Sequence, residues 1–123
     1  MTLIVGIGVD VVDLARFERA LDRTPALKAR LFADVELSTP DRVLSLRSLA
    51  GRFAAKEAFI KALGDSTGVH WHDMRVVSDG HGNPHFELGG AAASLAAEKG
   101  AEVFHLSMSH DGGIAIAYVI AES

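Results

Sequence analysis

Asp10, Glu57 and Lys61 are the residues whose types and spacing are best suited to chemistry. If the two carboxylates converge, they form a hard-oxygen site that suits Mg²⁺, which takes one or two carboxylates together with water and substrate phosphates. Arg52, Lys56 and Lys61 would supply positive charge to a phosphorylated substrate, arginine as a fork and lysine as a point charge. Carboxylates for a metal and cations for a phosphate together indicate phosphoryl chemistry.

Glu57 and Lys61 belong to a segment, residues 51–63, that is typical of a buried helix. At about 100° per residue its apolar side chains cover most of the surface, and Glu57 and Lys61 fall in the narrow gap between two apolar faces. A helix that is apolar on most sides is normally buried, and buried Lys and Glu are rare unless they are paired or hold a ligand. Their i, i+4 spacing also fits a surface ion pair worth about 0.3 kcal/mol. The apolar neighbours favour a functional site.

Asp10 lies at the end of a predicted strand, residues 3–12, in which apolar residues alternate with Gly6, Gly8 and Asp10. We interpret the two glycines as keeping the surface beside Asp10 bare, so that a ligand can approach the backbone closely. A dinucleotide-binding fingerprint is disfavoured because Val11 stands where its third glycine would be.

His110 and Asp111 lie at the end of another predicted strand. His105 and His110 fall on opposite faces of that strand, so at most one of them points into a given site, and His110 is the better candidate. Its structural alternative is a turn residue, with Asp111 bonding the backbone of the following glycines.

Arg16, Arg19 and Arg23 form a basic stripe on a predicted helix, opposite its apolar face. Between residues 14 and 30 there are five basic and two acidic residues, a local charge of +3 in a chain whose net charge is −4. The stripe is either a solvated face or a docking surface for an acidic protein. Its position directly after Asp10 favours docking, since the partner would be delivered beside the proposed metal.

The composition limits the class of protein. With 123 residues the chain is expected to form one domain, residues 1–123, and its negative charge argues against general nucleic-acid binding. The absence of cysteine excludes disulfides, and six histidines without matched ligand pairs disfavour zinc. No signal peptide or membrane segment is recognisable, so a cytoplasmic protein without membrane contact is expected.

The order of the predicted elements places helices early and strands late, which favours an α+β fold over a doubly wound α/β fold. The prediction comprises an N-terminal strand over 3–12, a helix over 14–23, a short helix started by Thr24-Pro25, a long central helix from Thr39-Pro40 to Gly64, a hairpin of 74–77 and 85–88, an Ala-rich helix after Gly89-Gly90, and a hairpin of 103–109 and 114–121 joined by 110–113.

Three segments resemble the holo-acyl carrier protein synthase family of 4′-phosphopantetheinyl transferases. They are Gly-Ile-Gly-Val-Asp-Val-Val at 6–12, Arg-Phe-Ala-Ala-Lys-Glu-Ala-Phe-Ile-Lys-Ala-Leu-Gly at 52–64, and His-Leu-Ser-Met-Ser-His-Asp at 105–111. The resemblance covers essentially the whole chain, and its middle segment is highly specific. It implies the family's fold and the magnesium-dependent transfer of phosphopantetheine from coenzyme A to a serine of an apo-acyl carrier protein. It also implies a homotrimer with active sites between subunits.

The resemblance carries over to individual positions. Asp10 and Glu57 match the family's metal ligands, and Arg52, Lys61 and His110 match positions that look like contacts to coenzyme A phosphates. The helix that bears Arg16 looks like the carrier-protein docking helix. Gly64 opens a loop that in the family is usually glycine-rich and cradles phosphate, so the resemblance implies that Gly64 contributes to cofactor binding.

We expect Lys61 to neutralise charge on the transferred phosphate. A water held by Glu57 is the first candidate for the base, with Asp111 or His110 as alternatives. The rival function is a non-catalytic coenzyme A or nucleotide-binding module whose basic helix recruits an acidic protein.

Overall fold

The described chain, residues 2–37 and 44–123 of a computed structural model, mixes helices with antiparallel strands and confirms the α+β class. The elements in chain order are β1 (Ile4–Asp13), α1 (Leu14–Arg23), α2 (Leu27–Leu31), α3 (Asp34–Leu37), α4 (Leu46–Leu63), a 3-10 turn (Trp71–Asp73), β2 (Met74–Ser78), β3 (Pro84–Leu88), α5 (Gly90–Glu98), β4 (Val103–Asp111) and β5 (Ile114–Glu122).

The larger sheet has the order β1-β5-β4 and is antiparallel throughout, while β2 and β3 form a separate hairpin. The turn between β4 and β5 is shorter than predicted. It consists of Gly112 and Gly113 alone, whose φ angles of 55° and 81° suit the tight hairpin turns that need a left-handed backbone. His110 and Asp111 are therefore strand residues, on opposite faces of β4.

Helix α4 begins later than the sequence pattern suggested. Its N-cap is Ser45, whose hydroxyl oxygen accepts a hydrogen bond from the Ser48 amide at 3.1 Å, and it ends as predicted at Gly64, with φ 71°. The predicted start at Thr39-Pro40 lies outside the described residues. The predicted cap at Thr24 is wrong, because Thr24 closes α1 through its amide to the Ala20 carbonyl, and α2 starts at Leu27.

Helix α4 packs directly on β1, and this contact explains the glycines of β1. A Cβ atom on Gly6 would overlap the carbonyl of Ala62, and one on Gly8 would overlap the carbonyl of Ala58. The interpretation that these glycines leave room for a ligand is therefore wrong, since the space belongs to the helix backbone. The same approach requires small residues on α4, and five of its alanines are buried in the core: Ala50, Ala54, Ala55, Ala58 and Ala62.

The opposite face of the larger sheet is apolar and exposed. Ile7 of β1 is 60% exposed and faces Ile120 of β5, while Val9 faces Tyr118, which is 51% exposed. A continuous apolar sheet face of this kind is typical of an interaction surface. Within residues 2–37 and 44–123, no helix combines the length and hydropathy needed to cross a bilayer.

Candidate active site

Asp10 and Lys61 meet where the end of β1 crosses α4. The Lys61 Nζ atom lies 3.0 Å from Oδ1 of Asp10 and 3.1 Å from the carbonyl oxygen of Val9. The Asp10 side chain is 17% exposed and that of Lys61 is 53% exposed. Lys61 thus pairs with Asp10 across the two elements, and not with Glu57 four residues earlier on its own helix.

Glu57 is half-buried and lies within the electrostatic reach of both residues. Burial raises the pKa of the Glu57 carboxyl, the negative charge of Asp10 raises it further, and Lys61 lowers it. The predicted convergence of Asp10 and Glu57 is therefore present as a repulsive pair of carboxylates. Across the described ranges, three or more His, Asp or Glu side chains nowhere converge as metal ligands.

The three residues line a cleft of about 440 Å³ between β1, α1 and α4. Phe17 and Phe53 line the same cleft, and their rings stack at 5.4 Å between centroids. The cleft therefore combines charged groups, suited to a phosphate and a cation, with aromatic rings suited to a less polar group.

Arg52 lies in a second cleft, of about 400 Å³, on another part of α4. The residue is 7% exposed, and its Nε atom donates a hydrogen bond to the Val76 carbonyl at 3.2 Å. His110, Arg47 and Ser48 line the same cleft, so Arg52 and His110 lie together, and their contacts to coenzyme A phosphates stay a prediction. Neither residue lines the cleft that contains Asp10, Glu57 and Lys61.

The end of β4 extends the second cleft rather than the first. His110 is exposed, and its Nδ1 atom lies 3.5 Å from Nη1 of Arg47. Asp111 faces a small neighbouring depression that Arg47 and His110 also line. Within one chain, therefore, neither His110 nor Asp111 joins Glu57 as an alternative base.

Two further predicted site residues occupy different positions. Gly64 is exposed at the end of α4, in the left-handed conformation that terminates a helix, and lines neither cleft. The basic stripe of Arg16, Arg19 and Arg23 is exposed along α1, with Phe17 buried on the opposite side. Arg16 also lines the Asp10 cleft, so the stripe begins at the site.

Sequence reasoning missed a buried ion pair beside the site. The sequence predicted that Lys56 supplies positive charge to a phosphorylated substrate, and this is wrong: its side chain is completely buried, with Nζ 2.7 Å from Oε1 of Glu36, and it lines neither cleft. Burial lowers the pKa of Lys56, and the hydrogen bond that Lys56 donates to the Glu36 carboxylate opposes that shift. The available signal was Lys56 itself: a lysine within an apolar helix needs a carboxylate partner, and Glu36 stands between Val35 and Leu37.

Comparison with known proteins shows the family to which the chain belongs. The 4′-phosphopantetheinyl transferase superfamily matches the chain over residues 6–119. A holo-[acyl-carrier-protein] synthase of Clavibacter sepedonicus is 58% identical over 120 residues, covering 98% of this chain and 97% of that protein.

Solved structures give the same result. The crystal structure of holo-[acyl-carrier-protein] synthase from Neisseria meningitidis has a TM-score of 0.88 and 34% identity, covering 98% of this chain and 100% of that one. A holo-(acyl-carrier-protein) synthase from Bacillus anthracis in complex with CoA (3′,5′-ADP) has a TM-score of 0.78 and 34% identity, covering 98% and 97%. The chain therefore belongs to the 4′-phosphopantetheinyl transferase superfamily and is an enzyme of the holo-acyl carrier protein synthase type.

Proposed function

We propose that this enzyme transfers the 4′-phosphopantetheine group from coenzyme A to a serine of an apo-acyl carrier protein and releases adenosine 3′,5′-bisphosphate. The observation that carries the proposal is the convergence of Asp10, Glu57 and Lys61 in one cleft. The coenzyme complex of the Bacillus anthracis relative supports coenzyme A as the donor.

Magnesium is the cation that this donor set fits. Asp10 and Glu57 offer hard oxygen ligands. Burial and then the negative charge of Asp10 raise the pKa of Glu57, and a divalent cation would relieve the repulsion between the two carboxylates. When bound, magnesium supplies Lewis-acid stabilisation of charge on phosphate oxygens. Two carboxylates leave positions for water and for the substrate's own phosphates.

The chain's own residues have separate parts in the reaction. Lys61 would leave Asp10 and bind the phosphate that is transferred, where it stabilises developing negative charge. Arg52 and His110 would bind another phosphate of coenzyme A in the second cleft. Glu57, through a water, is our proposed base for the serine hydroxyl. As the serine oxygen bonds to the pantetheine-side phosphorus, the bond from that phosphorus to the adenosine bisphosphate breaks.

The separation of the two clefts supports a homotrimeric assembly. One chain holds the Asp10 cleft and the Arg52 cleft on different sides of α4. In a closed ring of three copies, the Asp10 cleft of one subunit can face the Arg52 cleft of the next, so that one coenzyme spans both. The exposed apolar face around Ile7 and Tyr118 is suited to the contact between copies.

The basic stripe on α1 is proposed to bind the carrier protein. Arg16, Arg19 and Arg23 present a positive surface that begins at the Asp10 cleft. An acidic partner bound there would hold its serine next to Asp10, Glu57 and Lys61.

Mass spectrometry of the carrier protein tests the proposal. Incubation of the enzyme with apo-carrier protein, coenzyme A and Mg²⁺ should add the mass of phosphopantetheine to the carrier, and a chelator should prevent it. Glu57→Gln should nearly abolish the gain while the variant stays folded. Coenzyme A binding without any mass gain would favour the rival, a non-catalytic binding module, and full activity of Glu57→Gln would contradict the metal assignment.

A further inference from the structure

A chain of buried hydrogen bonds connects Lys56 to Arg52, both in α4, through Glu36 of α3 and Val76 of β2. Lys56 Nζ lies 2.7 Å from Oε1 of Glu36, and Oε2 of Glu36 accepts the Val76 amide at 3.1 Å. The carbonyl of the same Val76 accepts Nε of Arg52 at 3.2 Å. The amide and the carbonyl group of Val76 thus link the Glu36 carboxylate to Arg52, which lines the second cleft.

The carboxylate and the ammonium group are each held from several sides. Oε1 of Glu36 also accepts the Ala33 amide at 2.9 Å. Lys56 Nζ also donates to the carbonyls of Leu31 at 2.6 Å and Trp71 at 3.0 Å. Glu36 is 1% exposed and Lys56 is fully buried, so water cannot replace these bonds. Together they fix the position of Glu36 and, through it, the peptide of Val76.

Stability alone is a weak explanation for such a pair. Removing two charges from water is costly, and a well-packed apolar pair of similar volume is often as stable as a buried ion pair. What an apolar pair lacks is a directed acceptor for the Val76 amide. The pair therefore orients the Val76 peptide and, through it, the Arg52 side chain. Orientation matters most for a side chain that must bind a phosphate in a fixed geometry.

We propose that Glu36 and Lys56 are positioning residues for Arg52, which they hold in the second cleft through the backbone of Val76 so that it can bind a phosphate of coenzyme A. The inference rests on the proposed function, because it takes coenzyme A as the ligand of that cleft. It adds two buried residues that line neither cleft.

The test replaces the pair without leaving a buried charge alone. The double variant Glu36→Leu with Lys56→Met keeps volume and removes both charges, and coenzyme A affinity is measured by calorimetry together with KM and kcat. We expect Kd and KM for coenzyme A to rise about ten-fold, with a smaller change in kcat, since misplacement of a binding group can cost on the order of ten- to a hundred-fold. Adding Arg52→Ala should then have much less effect than it has in the wild type, because both changes act through one guanidinium.

A core truncation controls for general loss of stability. Leu95→Ala in α5 removes a buried apolar side chain, and its effect is compared at a temperature where both variants are folded. If Leu95→Ala raises Kd as much as the double variant does, or if the effects of the double variant and Arg52→Ala multiply independently, the positioning role is wrong. If the double variant does not fold, Glu36→Asp, which keeps the charge and withdraws the carboxylate by one methylene, gives the same comparison.

Coenzyme A binding by the wild-type enzyme distinguishes failure of this inference from failure of the proposed function. Failure of the wild type to bind coenzyme A would overturn the proposed function and the inference with it. Normal binding by the wild type and an unchanged Kd in the folded double variant would overturn the positioning role alone.

Discussion

Lys61 and Asp10 form an ion pair between α4 and β1, with 3.0 Å between Nζ and Oδ1. The lysine therefore occupies a carboxylate that our proposal also assigns to magnesium. Before substrate binds, the two cations compete for Asp10. Transfer of Lys61 from Asp10 to the substrate phosphate would release that carboxylate for the metal, so metal and coenzyme should bind cooperatively.

Lys61→Met is expected to affect Mg²⁺ binding and catalysis in opposite directions. Without coenzyme A, loss of the competing cation should strengthen Mg²⁺ binding up to about five-fold, the range of a partly exposed pair, as measured by calorimetry. The transfer rate, followed by carrier mass, should fall because no cation meets the phosphate. Lys99→Met, which removes a surface partner of Asp65 at 3.8 Å, should change neither quantity. Weaker Mg²⁺ binding in Lys61→Met would contradict the competition.

Glu57 should titrate above the usual range of a glutamate in the metal-free protein. Its folded pKa is raised, so the folded state holds the proton more tightly than the unfolded chain. This group therefore contributes stability at low pH that is lost as the pH rises from 4.5 through the raised pKa. An NMR titration of the Glu57 carboxyl should show the raised midpoint. Asp10→Asn should lower that midpoint only in part, because burial is the larger cause, and a midpoint at the ordinary value would refute the prediction.

Gly8→Ala should destabilise the protein by about 1–3 kcal/mol, the usual cost of overpacking. The new methyl group would meet the carbonyl of Ala58, and backbone cannot move aside as a flexible side chain can. Urea unfolding monitored by circular dichroism measures the loss. Gly80→Ala is the matched control, since a Cβ atom there meets nothing within 4 Å, and it should leave the midpoint nearly unchanged.

Charge on the exposed sheet face should dissociate the proposed trimer. Tyr118→Asp introduces a carboxylate opposite Val9, and burying that charge in an apolar contact is costly. Light scattering should report monomers, and transfer should be lost although the fold is kept. Val35→Asp alters a residue of α3 that is 49% exposed, similar to Tyr118 at 51%, and should leave the assembly intact. Monomeric wild-type protein with full activity would refute the trimeric site.

Reversing the charge of the basic stripe should weaken binding of the carrier protein without weakening binding of coenzyme A. Arg19→Glu with Arg23→Glu should raise KM for the carrier protein about ten-fold or more and reduce its dependence on salt, because long-range attraction is lost. Affinity for coenzyme A should stay unchanged, as neither residue lines a cleft described above. Lys99→Glu reverses a charge at the end of α5, away from the stripe, and serves as the control. An unchanged KM for the carrier would leave the stripe as a solvated face.

The sequence predicted most of what depends on local pattern. Alternation along β1 and the apolar periodicity of α4 were enough to identify both elements and to bring Asp10 towards Glu57. Local signals misled at the short connections. Thr24-Pro25 has the residue types of a helix start, but the hydrogen bond from Thr24 to Ala20 ends α1 instead.

Relationships between distant residues could not be predicted from one sequence. The role of Gly6 and Gly8 depends on which backbone lies opposite them, and alternation in a strand does not specify that. The partner of Lys56 is Glu36, in a four-residue helix too short to give a periodic signal. The division of the predicted site between two clefts likewise depends on how α4 lies across the sheet.

The direct contact between β1 and α4 has a further consequence for the two carboxylates. Asp10 and Glu57 are each one or two residues from positions where main chain touches main chain, Gly8 in the strand and Ala58 in the helix. We therefore expect the distance between the two carboxylates to depend on this backbone contact. Substitutions among the surrounding apolar residues that leave the contact of Gly8 with Ala58 in place should change that distance little.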